Sequence, residues 1–247
     1  MSRVVILHTN DMHNVLARDE QRAARLMEIV EAERANPPVL LLDAGDAIGA
    51  GNLTFNPAGE AILERMTAIG YHAMTIGNRE FHLTEIGFTT KLNQARFPVL
   101  CANVRARGNA RLPVRSHLIL ETPVGRVGIF GVTVPMITER MLSHHVSAYV
   151  FDDPIRVGAE MAERLRPQVD LLIALTHIGL KQDIELAKRA PQIDLIIGGH
   201  SHSVLEEPQR EGRVAIVQAG SYARFVGRVE VEFAEQTTIS GKLLSLV

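Results

Sequence analysis

The chain has 247 residues, of which 46% are hydrophobic and 22% charged; this composition excludes a disordered protein and is enough for a sizeable core without disulfides. Its 26 Lys and Arg nearly balance 28 Asp and Glu, giving a formal charge of -2, so no bulk basic field draws in nucleic acid or anionic lipid. The longest unbroken apolar run, Leu171–Leu175, is far too short for a membrane span, and the polar segment His8-Thr9-Asn10-Asp11 interrupts the N-terminal apolar run too early for a secretory signal, so a cytoplasmic address is expected.

Short apolar runs alternate with helical spacing, the pattern of an α/β domain. A strand is expected over Arg3–His8, then a helix over Ala23–Ala35 with Leu26, Ile29 and Val30 on one face. Val39–Asp43 reads as the second strand. Asn56 as N-cap and Pro57 at the first helical position open a helix that passes through Ala61, Ile62, Leu63 and Ile69 and stops at Gly70. Strands follow over His72–Ile76 and Pro98–Ala102, then a loop-like surface excursion over Val104–Arg115 carrying Arg105, Arg107, Arg111 and Arg115. Residues 117–132 read as a hairpin around Thr122-Pro123-Val124-Gly125, with Val127–Val132 as a strand. Asp152-Asp153-Pro154 opens a helix through Ile155, Met161, Ala162 and Leu165. Strands over Asp170–Leu175, Ile193–Ile197 and Val214–Gln218 come next, and Val226–Val247 reads as two strands around a turn near Ser240-Gly241. No repeat or linker divides the chain, so one domain over residues 1–247 is expected. The lone Cys101, inside an apolar run, reads as a buried inert thiol.

His, Asp and Asn cluster just past several of these strands, where open α/β sheets bind ligands. Asp11 and His13 follow the first strand, Asp46 the second and Asn78 the third; His177 follows Leu175, and His200 and His202 follow Ile197. Residues two apart in extended chain point the same way, so each paired motif can aim two side chains at one point. Two carboxylates, an amide and four imidazoles suit two divalent transition ions, Mn²⁺ foremost and Fe, Zn²⁺, Co or Ni as alternatives. A carboxylate between two such ions is the arrangement of two-metal phosphate-ester hydrolysis. Asp43 reads either as a carboxylate that orients a ligand histidine or as a buried cap. Asn103 lies near the site or is a turn amide, and His144-His145 is a solvated loop or a wall of the cleft. His8, His72 and His117 read as packed or surface histidines, and Ser201 as structural.

The ordered series D-x-H, G-D, G-N, T-H and G-G-H-S-H resembles the calcineurin-type metallophosphoesterases. His8-Thr9-Asn10-Asp11-Met12-His13, Ala102-Asn103-Val104 and Val217-Gln218-Ala219-Gly220-Ser221-Tyr222 resemble their 5'-nucleotidase branch, and the likeness runs from about residue 4 to about residue 233. The resemblance implies a four-layer α-β-β-α sandwich around a dinuclear centre. It gives Asp11, His13, Asp46 and His202 to one ion and Asp46, Asn78, His177 and His200 to the other, with Asp46 bridging. It implies a phosphoester hydrolase that uses metal-hydroxide attack on a small phosphoester, a nucleotide or cyclic nucleotide foremost; Asn78 and Arg79 are expected to hold the phosphoryl oxygens.

The chain departs from the family pattern in three places. G-N-H-E-F-D reads Gly77-Asn78-Arg79-Glu80-Phe81-His82, which puts Arg79 at the catalytic histidine position and His82 at that of the aspartate that orients it. Arginine stays protonated and stabilises negative charge but gives no proton to an alkoxide. If a helical turn follows Asn78, Arg79 and His82 share a face, so that Arg79 stabilises the transition state and His82 supplies the proton. D-x-H-G reads Asp11-Met12-His13-Asn14, and asparagine tolerates the left-handed conformation. The family's C-terminal nucleotide-binding domain is not in this sequence, so the resemblance does not carry nucleotide specificity. Two other classes stay open. One is a non-catalytic metal-binding or regulatory module, pointed to by Arg79. The other is a nuclease of the same superfamily, for which the composition offers only the arginines of 104–115.

Overall fold

The first strand, β1 (Ser2–Thr9), buries both its faces, Val4 and Ile6 on one and Val5 and Leu7 on the other. The same two-sided burial recurs in the other parallel strands and accounts for their near-continuous apolar runs. After β1 come α1 (Glu20–Arg34), β2 (Val39–Asp43), α2 (Ala61–Ile69), β3 (Ala73–Thr75), α3 (Glu85–Leu92), β4 (Val99–Leu100), β5 (Val104–Ala106), β6 (His117–Thr122) and β7 (Gly125–Thr133). The chain continues through β8 (Tyr149–Phe151), α4 (Pro154–Leu165), β9 (Leu171–His177), α5 (Leu180–Arg189), β10 (Leu195–Ile197), β11 (Gln209–Glu211) and β12 (Val214–Val217). It ends in the hairpin of β13 (Phe225–Phe233) and β14 (Thr238–Ser245). This computed structural model describes residues 2–35, 38–234 and 237–247.

Two six-stranded sheets result, ordered β14-β13-β1-β2-β3-β4 and β11-β12-β10-β9-β7-β6, with a small β5-β8 pair beside them. Within each large sheet four neighbouring strands are parallel: β1 to β4 in one, and β12, β10, β9 and β7 in the other. Their facing surfaces share one core, in which Ile6, Leu40 and Leu42 meet Ile129, Ile173 and Ile197. The outer face of the first sheet packs on α1, α2 and α3 through Leu26, Ile62, Met66 and Phe88. That of the second packs on α4 and α5 through Met161, Leu165 and Leu186. The molecule is therefore the expected four-layer α-β-β-α sandwich, and the carboxyl ends of strands from both sheets deliver their loops to one place.

Several local expectations are corrected. The second helix does not open at Asn56-Pro57 but at Ala61. The Asn56 side chain instead accepts the Ala58 N–H at 3.1 Å, its carbonyl accepts that of Gly59, and Gly59 turns left-handed (φ 87°), ending the turn before the helix begins. The first helix starts at Glu20 because Asp19 caps it through the Arg22 N–H. Ser240 and Gly241 are not a turn; they pair with Glu230 and Val229 inside β14. The excursion at 104–115 opens with β5, paired to β8, and buries Val104 and Val114. The short helix α3, with Gly87, Thr89 and Thr90, carries little helical propensity; α5 was readable from Leu180, Ile184 and Ala187.

Close approach of the two sheets depends on Gly131 in β7, where a Cβ would lie 2.6 Å from Thr75 Oγ1 and 2.9 Å from Leu100 Cβ. Gly131→Ala should therefore destabilise by about 1–3 kcal/mol through overpacking. The check is a lower urea midpoint with an unchanged slope against denaturant.

Candidate metal centre

Every residue singled out at a strand end arrives where the carboxyl ends of the parallel strands converge. Asp11 and His13 follow β1, Asp46 follows β2 and Asn78 follows β3; His177 ends β9, and His200 and His202 follow β10. Asp11, Asp46 and His177 are buried, His13 and Asn78 half-buried, and His200 and His202 exposed. The group thus forms a well with an acidic floor and an imidazole mouth.

Two trios stand out among the described residues. Ligand atoms of Asp11, His13 and His202 lie within 4.8 Å of one another, as do those of Asp11, Asp46 and His177. His13 Nε2 and His202 Nε2 are 3.2 Å apart, and His202 Nε2 is 3.3 Å from Asp11 Oδ1. His177 Nε2 stands 3.5 Å from Asp46 Oδ1 and 3.9 Å from Asp11 Oδ1. Asn78 Oδ1 and His200 Nδ1 meet at 3.2 Å. Asp11 is the residue common to both trios, whereas the family resemblance puts Asp46 between the ions.

The orientation of His177 is decisive. Its Nδ1–H donates to Ala44 O at 2.7 Å, which leaves the lone pair on Nε2, buried and without a partner. Asp11 Oδ1 is likewise buried and unpartnered. Its other oxygen accepts from Asn10 Nδ2 at 2.8 Å and from the His200 N–H at 2.9 Å. Two acceptors facing one another without a donor are costly unless something positive joins them. Burial lowers three of the histidines, His13 to about 4 with the Arg79 charge adding to it, and His177 and His200 in the same direction. They are neutral at pH 7, the form that ligates metal. Burial raises the Asp11 and Asp46 carboxyls, so a cation is what would hold both ionised. The donor set fits divalent transition ions.

Backbone strain concentrates at the same place. The non-glycine residues with positive φ are Asp11, His13, Asn14, Asp46, His200, His202, Tyr222 and Ala223 among those described. Asn14 adopts the left-handed conformation its side chain tolerates, with φ 67°. Such conformations cost about 1–3 kcal/mol each and persist only where the surroundings fix them. Here the fixing group is Glu80, a fully buried carboxylate whose oxygens accept the N–H groups of Asp46 (2.9 Å), Ile48 (3.1 Å) and Gly77 (2.7 Å). Gly199 completes the convergence: a Cβ there would lie 2.7 Å from Ala44 O and 2.8 Å from His177 Nδ1.

Arg79 and His82 turn to different partners rather than sharing a helical face. The Arg79 N–H donates to Asp46 Oδ1 at 2.8 Å, its Nε lies 3.5 Å from Asp46 Oδ2, and Nη1 donates to Gly49 O at 3.1 Å. His82 is buried; its Nδ1 accepts the Thr84 N–H at 3.1 Å and its ring packs on Phe55. Residues 78–80 form a turn, not the start of a helix. Beneath this turn the buried Lys91 donates to the carbonyls of Gly51, Arg79 and Phe81 at 2.6–2.8 Å.

Other candidates resolve as structural groups. Asp43 accepts from Thr9 Oγ1 and the Gly45 N–H and orients no histidine, so it is the buried cap. Asn103 staples Thr133 and Asp152 to its own turn and accepts from the buried Cys101 thiol, which burial pushes up to about 12. Ser201 donates to Gln218 Oε1 and accepts the Leu180 N–H. His144 and His145 stack on each other in a half-buried to exposed segment. Glu80, Asn10 and Gln218 stood inside the quoted motifs without a role of their own, because a lone Glu, Asn or Gln carries no periodic signal.

Comparison with known proteins agrees with this geometry. Residues 4–204 match the calcineurin-like phosphoesterases. The trifunctional nucleotide phosphoesterase protein YfkN of Bacillus subtilis (strain 168) is 30% identical over 96% of this chain and 18% of its own length. The 5'-nucleotidase of Homo sapiens is 30% identical over 96% of this chain and 47% of its own. The chain thus spans less than half the length of either relative. The NAD nucleotidase structure of Haemophilus influenzae shares the fold, with a TM-score of 0.81 at 24% identity over 98% of this chain and 56% of that one. The chain belongs to the calcineurin-like phosphoesterase family.

Two outcomes test the supports of the site. Glu80→Gln places an amide NH₂ against backbone donors and should cost about 1–3 kcal/mol in urea unfolding. Asp183, buried under the loop that carries His200, accepts from Thr176 Oγ1 at 2.6 Å, and burial pushes its carboxyl up to about 8 from an ordinary 3.8. The folded state therefore holds a proton that the unfolded chain releases. The stability this contributes is full below an ordinary carboxyl pKa of about 4 and is lost as pH rises through about 8, at up to about 1.4 kcal/mol per pH unit. Asp183→Asn should flatten the fall in urea midpoint between about pH 5 and about pH 9; parallel slopes would show Asp183 ionised in the fold.

Proposed function

We propose that Asp11, His13, Asp46, Asn78, His177, His200 and His202 hold two divalent ions, Mn²⁺ foremost, and that the chain hydrolyses small phosphate esters, with nucleotides as the leading substrates. The observation that carries this is the unpartnered lone pair of His177 Nε2, aimed at Asp46 and Asp11 across 3.5 and 3.9 Å on the floor of the well. The strain gathered on five of the proposed ligands, Asp11, His13, Asp46, His200 and His202, supports the same reading. Ions bound there supply Lewis-acid charge to the phosphoryl group and a nucleophile at neutral pH.

The chain's own residues then divide the remaining work. The Ala44 carbonyl and the Glu80 carboxylate hold His177 and the Asp46 loop in place, so the site is preorganised rather than assembled on binding. Asn78 and the Arg79 guanidinium, 35% exposed beside Asp46, reach phosphoryl oxygens from the same turn. Arg79 offsets charge that builds on those oxygens but keeps its proton. His82 is held by Thr84 and Phe55, so we assign it to the support of the 79–84 turn, in place of the proton transfer expected from its position. With no acid aimed at the leaving oxygen from Arg79, esters whose leaving group needs no proton lose least in rate. The human and Bacillus subtilis relatives, named as a 5'-nucleotidase and a nucleotide phosphoesterase, support a nucleotide.

The test is hydrolysis of p-nitrophenyl phosphate and bis(p-nitrophenyl) phosphate by Mn²⁺-loaded protein. Turnover should vanish with chelator, and Asp46→Asn should lower it by about 100-fold or more together with bound metal measured by elemental analysis. Arg79→His should gain most on alkyl esters, whose leaving groups are poor. Two equivalents of metal without turnover on either ester would favour the regulatory reading instead.

A further inference from the structure

Tyr222 stands on the rim of the well and is not used by the proposed chemistry. It follows β12 on the turn after Gln218, and its ring lies against two of the histidines, with centroids 4.9 Å from His13 and 6.0 Å from His202. Its backbone is left-handed (φ 57°), as is that of Ala223 (φ 48°). A bulky aromatic residue is rarely held so. The fold fixes it from both sides: the Tyr222 N–H donates to Asp11 O at 2.8 Å, and Arg22 Nη1 donates to Tyr222 O at 2.6 Å. Arg22 is in turn paired with Asp19.

Although its main chain is tied down, the side chain is 49% exposed, and among the described residues its hydroxyl makes no hydrogen bond. The ring is a rigid apolar face beside the ions' proposed ligands, while the cationic Arg79 stands over Asp46. An anionic headgroup and a flat apolar body would each meet a matching surface. We propose that Tyr222 is a specificity-determining residue: its ring forms the wall against which the leaving group packs, so the site prefers esters whose leaving group carries a planar ring. This rests on the reading of the well as a phosphoester site.

The test uses phosphonates, whose C–P bond resists hydrolysis, titrated into Zn²⁺-loaded protein. The chain has no Trp and 3 Tyr; Tyr71 and Tyr149 are buried, at 5% and 0% exposure. Tyr222 is thus the exposed fluorophore of the native protein, whose emission reports occupancy there, and isothermal titration calorimetry reads binding in the native protein and every variant alike. Phenylphosphonate should bind about three- to tenfold more tightly than methylphosphonate or cyclohexylphosphonate. Tyr222→Phe should keep that preference. Tyr222→Leu and Tyr222→Asn, the latter at ease in a left-handed backbone, should abolish it while leaving methylphosphonate affinity unchanged. Equal binding of the phosphonates by the native protein, or a preference that survives Tyr222→Leu, overturns the proposal and leaves the phosphoester reading standing. Binding of no phosphonate by native protein shown to carry metal overturns both.

Discussion

The mouth of this protein hangs on the Asp11 carboxylate. One of its oxygens accepts from Asn10, on the first sheet, and from the His200 N–H, on a loop of the second. Its main chain donates to Gly45 O and accepts from Tyr222. A single residue thereby ties three loops and both sheets, and its side-chain bonds turn the remaining oxygen toward His177 and His202. Such a carboxylate is expensive to bury, and its cost is recovered only if the free oxygen meets a positive partner. Joining the sheets and creating a cation site are therefore the same act.

The strained candidate ligands follow from that constraint. Short loops from parallel strands must reverse sharply to present side chains back over the sheet ends, which drives Asp11, His13, Asp46, His200 and His202 to positive φ. Nothing local favours those conformations. They hold because donors and acceptors behind them are already paired: the Asp46 and Ile48 amides with Glu80, the Ala44 carbonyl with His177, the Gln218 carboxamide with Ser201 and the Ser203 N–H. Rigidity is thus built from buried polar pairs rather than from apolar packing, which lies a layer deeper in the sandwich.

Much of this was legible in the sequence, and the limits have physical reasons. Parallel strands buried on both faces read as apolar runs, so Val39–Asp43 was found with its bounds intact. The candidate ligand positions stood out because His and Asp are conspicuous directly after such runs. Glu80 was hidden because its partners are backbone amides, which have no sequence signature. Asn56 misled because the same side chain that caps a helix also closes an Asx turn, and Gly59, not Asn56, decided between them. His82 was expected to share a face with Arg79, but residues 78–80 turn without continuing as helix, and the i, i+3 rule has no meaning there.

The gradient of burial explains how a slightly acidic protein presents an anion site. Asp11, Asp46 and His177 lie where water does not reach, so any charge bound among them acts through a medium of low polarity and is felt strongly at short range. The formal charge of -2 is spread over the whole surface and is screened within about 8 Å at physiological salt. An approaching phosphate therefore responds to the mouth, where Arg79 is cationic, rather than to the molecule as a whole. Replacing a titratable histidine by arginine at that position makes this attraction independent of pH and removes the proton a poor leaving group needs. On the reading proposed for the site, the chain has exchanged breadth of leaving groups for constancy of anion binding.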